Sequence, residues 1–111
     1  MKRESRFRLA LVTCGTLEES RKIARELVEK RLAACVNVVT HAVESFYPWA
    51  GKLENSSEYL LMIKTTEDRI EELQACVVSR HSYDTPEFIV LPIVAGSEDY
   101  LKWLSESVGT G

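Results

Sequence analysis

Four apolar segments of strand-like composition are interspersed with three amphipathic segments of helical periodicity, and this arrangement predicts an α+β fold. Their order along the chain is β-α-β-β-α-β, followed by a third helix. This order is typical of a split βαβ unit, so the simplest architecture is a ferredoxin-like sandwich with a long hairpin between its second and third strands and an extra C-terminal helix. The 111 residues correspond to a single domain, residues 1–111, whose ordered core we expect at about residues 7–107.

A strand and a helix open the chain. Residues 7–13 are mostly apolar and precede a glycine, which indicates a strand. Thr16 and Glu19 have the spacing of a capping box, in which each side chain bonds the backbone N–H of the other, and this pair predicts the start of a helix. Apolar residues then recur at intervals of three and four as far as Leu32, near which we expect the helix to end.

A long β-hairpin should follow the first helix. Residues 35–47 are rich in valine, residues 48–51 have turn chemistry, and residues 53–66 form a returning strand. The two faces of the returning strand carry, respectively, Tyr59, Leu61 and Ile63, and Glu58, Leu60, Met62 and Lys64. Both faces are largely apolar, whereas a sheet with helices on one side alone alternates apolar with polar residues. We therefore expect the second face to contact another subunit.

The C-terminal half is predicted as helix, strand and helix. Thr65 or Thr66 can cap the second helix. Residues 87–94 form a fourth strand, in which Pro92 favours an edge position or a bulge because proline cannot donate to a ladder. Ser97 can cap the last helix, and the two acidic residues after it suit the helix dipole.

Composition and cysteine usage exclude several classes of function. The net charge of −3 and the pI of about 5.4 argue against non-specific nucleic-acid binding, which needs a basic surface. No apolar run approaches the roughly 18 residues of a membrane span, and the N-terminal apolar stretch is too short for a secretory signal. Cys14, Cys35 and Cys76 show no pairing pattern or C-x-x-C motif, so we expect a reducing compartment, the cytoplasm.

Residues 80–87 form the most chemically diverse connection in the chain. They combine His81, Tyr83 and Glu87 with a second carboxylate and Pro86, and an apolar strand follows. Binding residues concentrate on loops that rigid elements hold in place. Because Pro86 fixes its own φ and restricts the residue before it, this loop should have one shape and its side chains one direction.

Several segments resemble motifs of the CutA-type divalent-ion-tolerance proteins, in the same order and register. They are KRLAACVN at residues 30–37, YPWAGK at 47–52, IKTT at 63–66, HSYDTPE at 81–87, LP at 91–92 and DYLKWL at 99–104. Each segment alone is short, but together they extend over about residues 9–104. The resemblance implies a ferredoxin-like homotrimer, similar in shape to the nitrogen-signalling PII proteins, in which long hairpins pack between subunits.

The resemblance also implies a link to copper tolerance, since some members of the family bind divalent copper. The copper-linked cysteine of the enteric-bacterial members corresponds to Val12, and Cys14 lies two residues later, where a strand places it on the same face. The paired histidines of those members correspond to Arg80 and His81. His81 and Cys14 are therefore the candidate metal ligands, because imidazole and thiolate both bind copper and zinc.

Each candidate ligand also has a structural interpretation. His81 could instead be a loop histidine that bonds a carboxylate or the backbone, and Cys14 a small buried residue at a strand end. Five further residues are candidates for ligand binding: Trp49, Glu58, Lys64, Tyr83 and Glu87. Charged groups on a covered strand face need partners, which a small ligand in a cleft between subunits or a structural network of the trimer would supply.

Two functions are consistent with these features. The first is a non-enzymatic homotrimer of divalent metal ion tolerance that binds copper(II), another divalent cation or a small ligand between subunits, with no obligatory cofactor. The alternative is a PII-like signalling trimer that senses a small molecule and has no physiological metal role. An enzyme with Cys14 or Cys35 as nucleophile and His81 as base is not predicted, because no catalytic signature surrounds either thiol. Neither a nucleic acid nor a membrane is an expected partner.

Overall fold

The computed structural model describes residues 1–3 and 6–109, and within them the predicted helices and strands occur in the predicted order, with two additional strands of two residues each that have no counterpart in the prediction. The strands are β1 (Lys2–Arg3), β2 (Phe7–Cys14), β3 (Cys35–Val38), β4 (Val43–Trp49), β5 (Lys52–Thr66), β6 (Ile89–Pro92) and β7 (Ala95–Gly96). The helices are α1 (Leu17–Glu29), α2 (Ile70–Arg80), which a 3₁₀ turn at Glu67–Arg69 precedes, and α3 (Glu98–Ser107).

The main sheet is antiparallel and has the strand order β3-β5-β2-β6. Its two central strands, β2 and β5, pair in a register that places Ala10 opposite Ile63 and Val12 opposite Leu61. β1 and β7 form a separate two-stranded pair. This topology, in which each of two helices connects strands of one antiparallel sheet, confirms the ferredoxin-like α+β fold.

α1 and α2 contribute to the main hydrophobic core on one face of the sheet. Because successive residues of a strand point to opposite faces, β2 contributes Ala10, Val12 and Cys14 to this core, and β5 contributes Leu61 and Ile63. The helices contribute Ile23, Leu27, Leu73 and Val77, all of them nearly or fully buried. The shared face of Val12 and Cys14 is the one that the strand periodicity predicts.

The opposite face of the sheet is also apolar, as the pattern of β5 indicates. α3 covers one end of it, where Phe7 packs with Leu101 and Leu104 in a second, smaller core. The rest of this face, the open face, carries half-buried or exposed side chains: Leu9, Leu11, Leu60, Met62, Lys64, Ile89 and Leu91. Their exposure means that the described part of the chain covers this face only in part.

β4 and β5 extend beyond the main sheet as a two-stranded ribbon, the long hairpin that the sequence predicts. Trp49 pairs with Lys52, so the turn consists of Ala50 and Gly51 alone. Both turn residues have positive φ, 53° and 78°, as a two-residue turn of type I′ requires. Pro48 and Trp49 therefore belong to β4 and not to the turn, and Trp49 stands at the tip with 68% of its surface exposed.

The second strand predicted from the sequence is in fact two strands. β3 ends at Val38, which pairs with Leu61, and β4 begins at Val43, which pairs with Glu58. Residues 39–42 therefore face only two residues of β5, and such extra residues interrupt a ladder in the manner of a β-bulge. The interruption lies where β5 leaves the main sheet and continues into the ribbon.

Two predicted element ends are wrong, the first because of a local backbone turn and the second because of a tertiary contact. α1 ends at Glu29 rather than Leu32, since Arg31 adopts a φ of 58°, which a right-handed helix cannot continue. In the described chain neither Thr65 nor Thr66 caps α2, because the 3₁₀ turn intervenes and the Thr65 hydroxyl donates to the backbone oxygen of Leu32 instead.

The fourth strand is also shorter than predicted. It spans Ile89–Pro92 rather than residues 87–94, and it lies at the edge of the main sheet, as its proline favours. Thr16 and Ser97 cap α1 and α3 as predicted, since each side chain accepts a backbone N–H from three residues later. No helix within residues 1–3 and 6–109 combines the length and apolar character that crossing a membrane requires.

Leu61 should contribute strongly to stability, because it lies at the centre of the main core with none of its surface exposed. We expect Leu61→Ala to lower the free energy of unfolding by about 2–5 kcal/mol, through lost burial and a residual cavity. Urea denaturation followed by circular dichroism measures this loss. Val28→Ala removes a side chain that is 42% exposed on α1 and should change the same quantity by less than about 0.5 kcal/mol. Equal losses in the two variants would contradict this packing.

Candidate functional site

His81 follows α2 directly, and its side chain is completely buried. Nε2 lies 2.7 Å from the backbone oxygen of Thr13, and the backbone N–H of Tyr83 lies 3.0 Å from Nδ1. Because an amide N–H can only donate, Nδ1 accepts, and Nε2 carries the proton that is donated to Thr13. These two bonds hold the imidazole in a single tautomer with its lone pair on Nδ1.

Two further donor groups lie beside this ring. The ligand atoms of Cys14, Glu19 and His81 all lie within 4.8 Å of one another. β2 ends at Cys14 and Glu19 occupies the first turn of α1, so a short strand-to-helix connection brings the thiol and the carboxylate together. His81 reaches them from the end of α2. These residues form the Cys14–Glu19–His81 cluster, which contains both metal ligands expected from the sequence.

Glu19 is the member of the cluster that the sequence does not identify as a ligand. Its N–H bonds Thr16 as the capping pattern predicts, but its carboxylate turns away from the helix start: Oε1 accepts the N–H of Ser82 at 3.1 Å. Oε2 lies 3.6 Å from His81 Nδ1 and, among the described residues, is buried and accepts no N–H or O–H hydrogen bond. The close spacing of Cys14 and Glu19 across a strand-to-helix turn is the signal that could have indicated this role.

Cys14 is fully buried, and this burial is the main cause that raises the pKa of its thiol to about 11. A hydrogen bond with Ser20 opposes the rise, whereas the charge of the Glu19 carboxylate and the hydrogen bond that this carboxylate accepts from the thiol add to it. At neutral pH the sulfur is therefore a protonated thiol. It becomes a strong ligand only where a neighbouring positive charge favours loss of its proton.

Tyr83 and Glu58 form a second contact next to the cluster. The Tyr83 hydroxyl donates to Glu58 Oε2 at 3.1 Å, and its ring lies against His81 with centroids 4.6 Å apart. Burial, and then the Glu58 carboxylate, raise the pKa of Tyr83 to about 12, so the phenol remains a donor at neutral pH. Gly15 makes room for it, since a Cβ at that position would lie 3.0 Å from the hydroxyl oxygen.

The other three candidate ligand-binding residues do not join this pair within the described chain. Lys64 contacts the side-chain oxygen of Asn37, and it lies six residues from Glu58 along β5, a distance of about 20 Å. Trp49 is at the tip of the ribbon, six residues from Glu58 in the other direction along the β4–β5 ladder. Glu87 is exposed before β6. The expected pairing of Glu58 with Tyr83 is present, whereas Lys64 has a different partner.

The cluster suits a divalent transition-metal ion in the chemistry of its donors. Zinc and copper bind thiolate sulfur, imidazole nitrogen and carboxylate oxygen. Bonds of about 2.0–2.3 Å to a common ion require a modest contraction of donors that already lie within 4.8 Å. Such an ion is favoured most directly by Oε2 of Glu19, which is buried and accepts no N–H or O–H hydrogen bond in the described chain. A buried charged oxygen normally has a partner.

The chain is similar to known proteins over most of its length. The CutA1 divalent ion tolerance protein family matches residues 8–107. The chain is 47% identical over 96 residues to the chloroplastic CutA protein of Arabidopsis thaliana, a match that covers 86% of this chain and 52% of that protein. It is 43% identical over 101 residues to the divalent-cation tolerance protein CutA of Thermus thermophilus, covering 91% of this chain and 97% of that protein.

The length of the match differs among relatives. The chain spans about half of the Arabidopsis protein, and 66% and 65% of the CutA homologues of Danio rerio and Xenopus laevis.

Solved structures agree with the sequence matches. The divalent cation tolerance protein of Thermus thermophilus superposes with a TM-score of 0.90 at 42% identity, covering 93% of this chain and 99% of that one. CutA1 of Oryza sativa superposes with a TM-score of 0.92 at 38% identity, covering 96% and 97%. Sequence and fold thus point to one family over the same residues. The chain belongs to the CutA1 divalent ion tolerance protein family.

Proposed function

We propose that this chain is a non-enzymatic divalent-cation tolerance protein that binds a metal ion, copper(II) or zinc(II), at the Cys14–Glu19–His81 cluster. The observation that carries the proposal is the buried Oε2 of Glu19, which accepts no N–H or O–H hydrogen bond in the described chain and lies 3.6 Å from His81 Nδ1 and close to the Cys14 thiol. The name of the family refers to tolerance of divalent ions, in agreement with this donor set.

The protonation state of the cluster affects the free energy of metal binding. Glu19 Oε2 accepts no N–H or O–H hydrogen bond in the described chain, so a cation competes for the Glu19 carboxylate chiefly with the Cys14 thiol. Cys14 must lose its proton, which its raised pKa opposes, and a bound divalent charge is the force that ordinarily lowers the pKa of a thiol. Binding therefore releases a proton, and the affinity depends on pH.

The contacts of the cluster support a binding role over a catalytic one. A nucleophilic cysteine needs an accessible thiolate and a base with a free lone pair. Cys14 is fully buried and its pKa is raised, so the cluster offers neither an accessible sulfur nor a thiolate at neutral pH. The three free cysteines suit a reducing environment, and the cytoplasm is the compartment that we propose.

The open face supports assembly as a homotrimer. Its apolar side chains are half-buried or exposed on a chain of only 111 residues, and a patch of this kind on a small domain marks an interaction surface. The exposed aromatic and aliphatic residues of the ribbon, among them Phe46, Trp49 and Leu53, extend the apolar surface beyond the sheet. Further copies of the chain are the partners that we propose for both surfaces.

A small-molecule sensor is the second candidate, favoured by the nearly buried Glu58 carboxylate beside the Tyr83 phenol. A ligand held between subunits would find these polar groups close to the open face. A thermal-shift screen separates the two functions, because a bound ligand raises the melting temperature of the state that binds it. Stabilisation by metabolites and not by metal ions would favour the sensor.

Zinc(II), which has no redox chemistry, is a suitable probe of the proposed site. We expect the reduced protein to bind one zinc ion per chain by native mass spectrometry and calorimetry. Glu19→Gln and His81→Ala should each weaken binding by at least about tenfold, since each removes a donor. Copper(II) titrated under the same conditions then tests the alternative ion.

Two variants outside the cluster serve as controls, one for the loss of a carboxylate and one for the loss of a thiol. Glu18→Gln removes the carboxylate next to Glu19, which is largely exposed and pairs with Lys22, and Cys76→Ala removes a thiol that bonds Glu26 instead. Both should bind zinc as the unaltered protein does. Unchanged affinity in both cluster variants would refute the proposed site.

The pH dependence of zinc binding should show the thiol proton. Below the raised pKa of Cys14, loss of one proton on binding makes the affinity rise about tenfold for each unit of pH, for example between pH 7 and 9. Calorimetry in buffers of different ionisation enthalpy counts the protons released. Cys14→Ser should flatten this dependence, and an equally steep rise in that variant would show that the proton comes from another group.

The oligomeric state tests the role of the open face. Native mass spectrometry should give three times the chain mass of 12.6 kDa. Met62→Glu places a charge in the middle of the open face and should dissociate the trimer, because an unpaired charge in an apolar interface is costly. Val78→Glu, at an exposed position of α2, should leave the trimer intact. A monomeric unaltered protein would contradict the proposal.

A further inference from the structure

The loop after α2 closes the Cys14–Glu19–His81 cluster with two backbone amides. The N–H of Ser82 donates to Glu19 Oε1 at 3.1 Å, and the N–H of Tyr83 donates to His81 Nδ1 at 3.0 Å. The Tyr83 ring lies against the imidazole and the residue as a whole is 38% exposed, whereas the His81 side chain is completely buried. Tyr83 therefore covers the cluster with its ring and also donates its backbone N–H to a nitrogen within the cluster, His81 Nδ1.

The nitrogen that Tyr83 occupies is the one that His81 can offer to a cation. Nε2 carries a proton, which it donates to Thr13, and a protonated ring nitrogen has no lone pair for coordination. Nδ1 has one lone pair, which can accept the Tyr83 N–H or bind a cation but cannot do both. Nδ1 is also the nitrogen that lies 3.6 Å from Oε2 of Glu19, the oxygen that accepts no N–H or O–H hydrogen bond in the described chain.

We infer that Tyr83 is a cover that a divalent cation displaces: coordination at His81 Nδ1 expels the Tyr83 amide and moves the loop that carries it. The inference rests on the proposed metal site. A ligand shifts a conformational equilibrium only through different affinities for the two states. Here the two states differ in affinity because, when the loop is closed, the Tyr83 N–H is bonded to the Nδ1 lone pair that the cation needs.

Displacement of Tyr83 also changes the base of the β4–β5 ribbon. The phenol donates to Glu58, which is 7% exposed and pairs with Val43 at the first rung of the ribbon. When the phenol leaves, this nearly buried carboxylate loses a hydrogen-bond donor, a change that a buried polar group does not tolerate without rearrangement. Binding of a cation is thereby coupled to the conformation of the chain where β5 passes from the sheet into the ribbon.

The hydrogen bond between Tyr83 and Glu58 also opposes cation binding. The bond from the Tyr83 hydroxyl to Glu58 holds the loop closed, and so does the fit of the phenol against Gly15. Opening the loop breaks this bond, and its loss offsets part of the free energy gained from the metal–ligand bonds. Removal of the hydroxyl alone should therefore favour the cation-bound state, an outcome that is unusual for a truncation near a binding site.

Hydrogen exchange of the Tyr83 amide, followed by NMR in the reduced protein, is the direct test. Without zinc(II) the amide should be protected, and saturating zinc(II) should reduce its protection by at least about tenfold. The amide of Leu101, which bonds Ser97 in α3, is the internal control and should not change. Stoichiometric zinc binding with an unchanged Tyr83 amide would overturn the inference and leave the metal site intact. Absence of zinc binding would overturn both.

A variant of the phenol gives an independent measurement. Tyr83→Phe keeps the ring and the amide but removes the bond to Glu58, and we expect zinc(II) to bind roughly five-fold more tightly, as the loss of one competing hydrogen bond predicts. Tyr100→Phe removes the hydroxyl of a tyrosine with similar exposure on α3 and should leave the affinity unchanged. Weaker or unaltered zinc binding by Tyr83→Phe would overturn the coupling to Glu58.

Discussion

The hydrogen bond between His81 Nε2 and the backbone oxygen of Thr13 is the constraint on which the candidate site depends. It joins residues 68 positions apart and connects the end of β2 to the end of α2. Without it the imidazole could take either tautomer and either ring orientation. With it, Nδ1 carries the lone pair that accepts the Tyr83 N–H, and this nitrogen lies 3.6 Å from Oε2 of Glu19 in the first turn of α1.

Much of the fold could be predicted because its signals are local. The hydroxyls of Thr16 and Ser97 bond backbone N–H groups three residues away, so the sequence alone indicates where α1 and α3 begin. The apolar character of both faces of β5 is likewise visible in its alternation. Thr65 is different: its hydroxyl bonds the backbone of Leu32, more than thirty residues away, and a capping pattern contains no information on such a contact. The break between β3 and β4 also depends on where β5 changes partner.

The candidate site could be predicted only in part, and for a related reason. His81 and Cys14 belong to chemically distinctive types, and the strand periodicity places Cys14 on the core face. Glu19 has an evident role as a capping residue, which concealed its carboxylate as a potential ligand. Conversely, the chemistry of Trp49 and Lys64 predicts a shared site with Glu58, but the rise of an extended strand holds residues six positions apart at separate locations.

The long-range construction of the cluster has a consequence for newly synthesised chains. Ribosomes produce Cys14 and Glu19 more than sixty residues before His81, so the bond to Thr13 can form only after β5 and α2 have been synthesised. Contacts between distant segments form late, because closing the intervening chain is entropically costly. An unfinished or unfolded chain therefore presents isolated thiols and carboxylates rather than an assembled set of donors. Metal binding at the proposed site would therefore be confined to folded molecules.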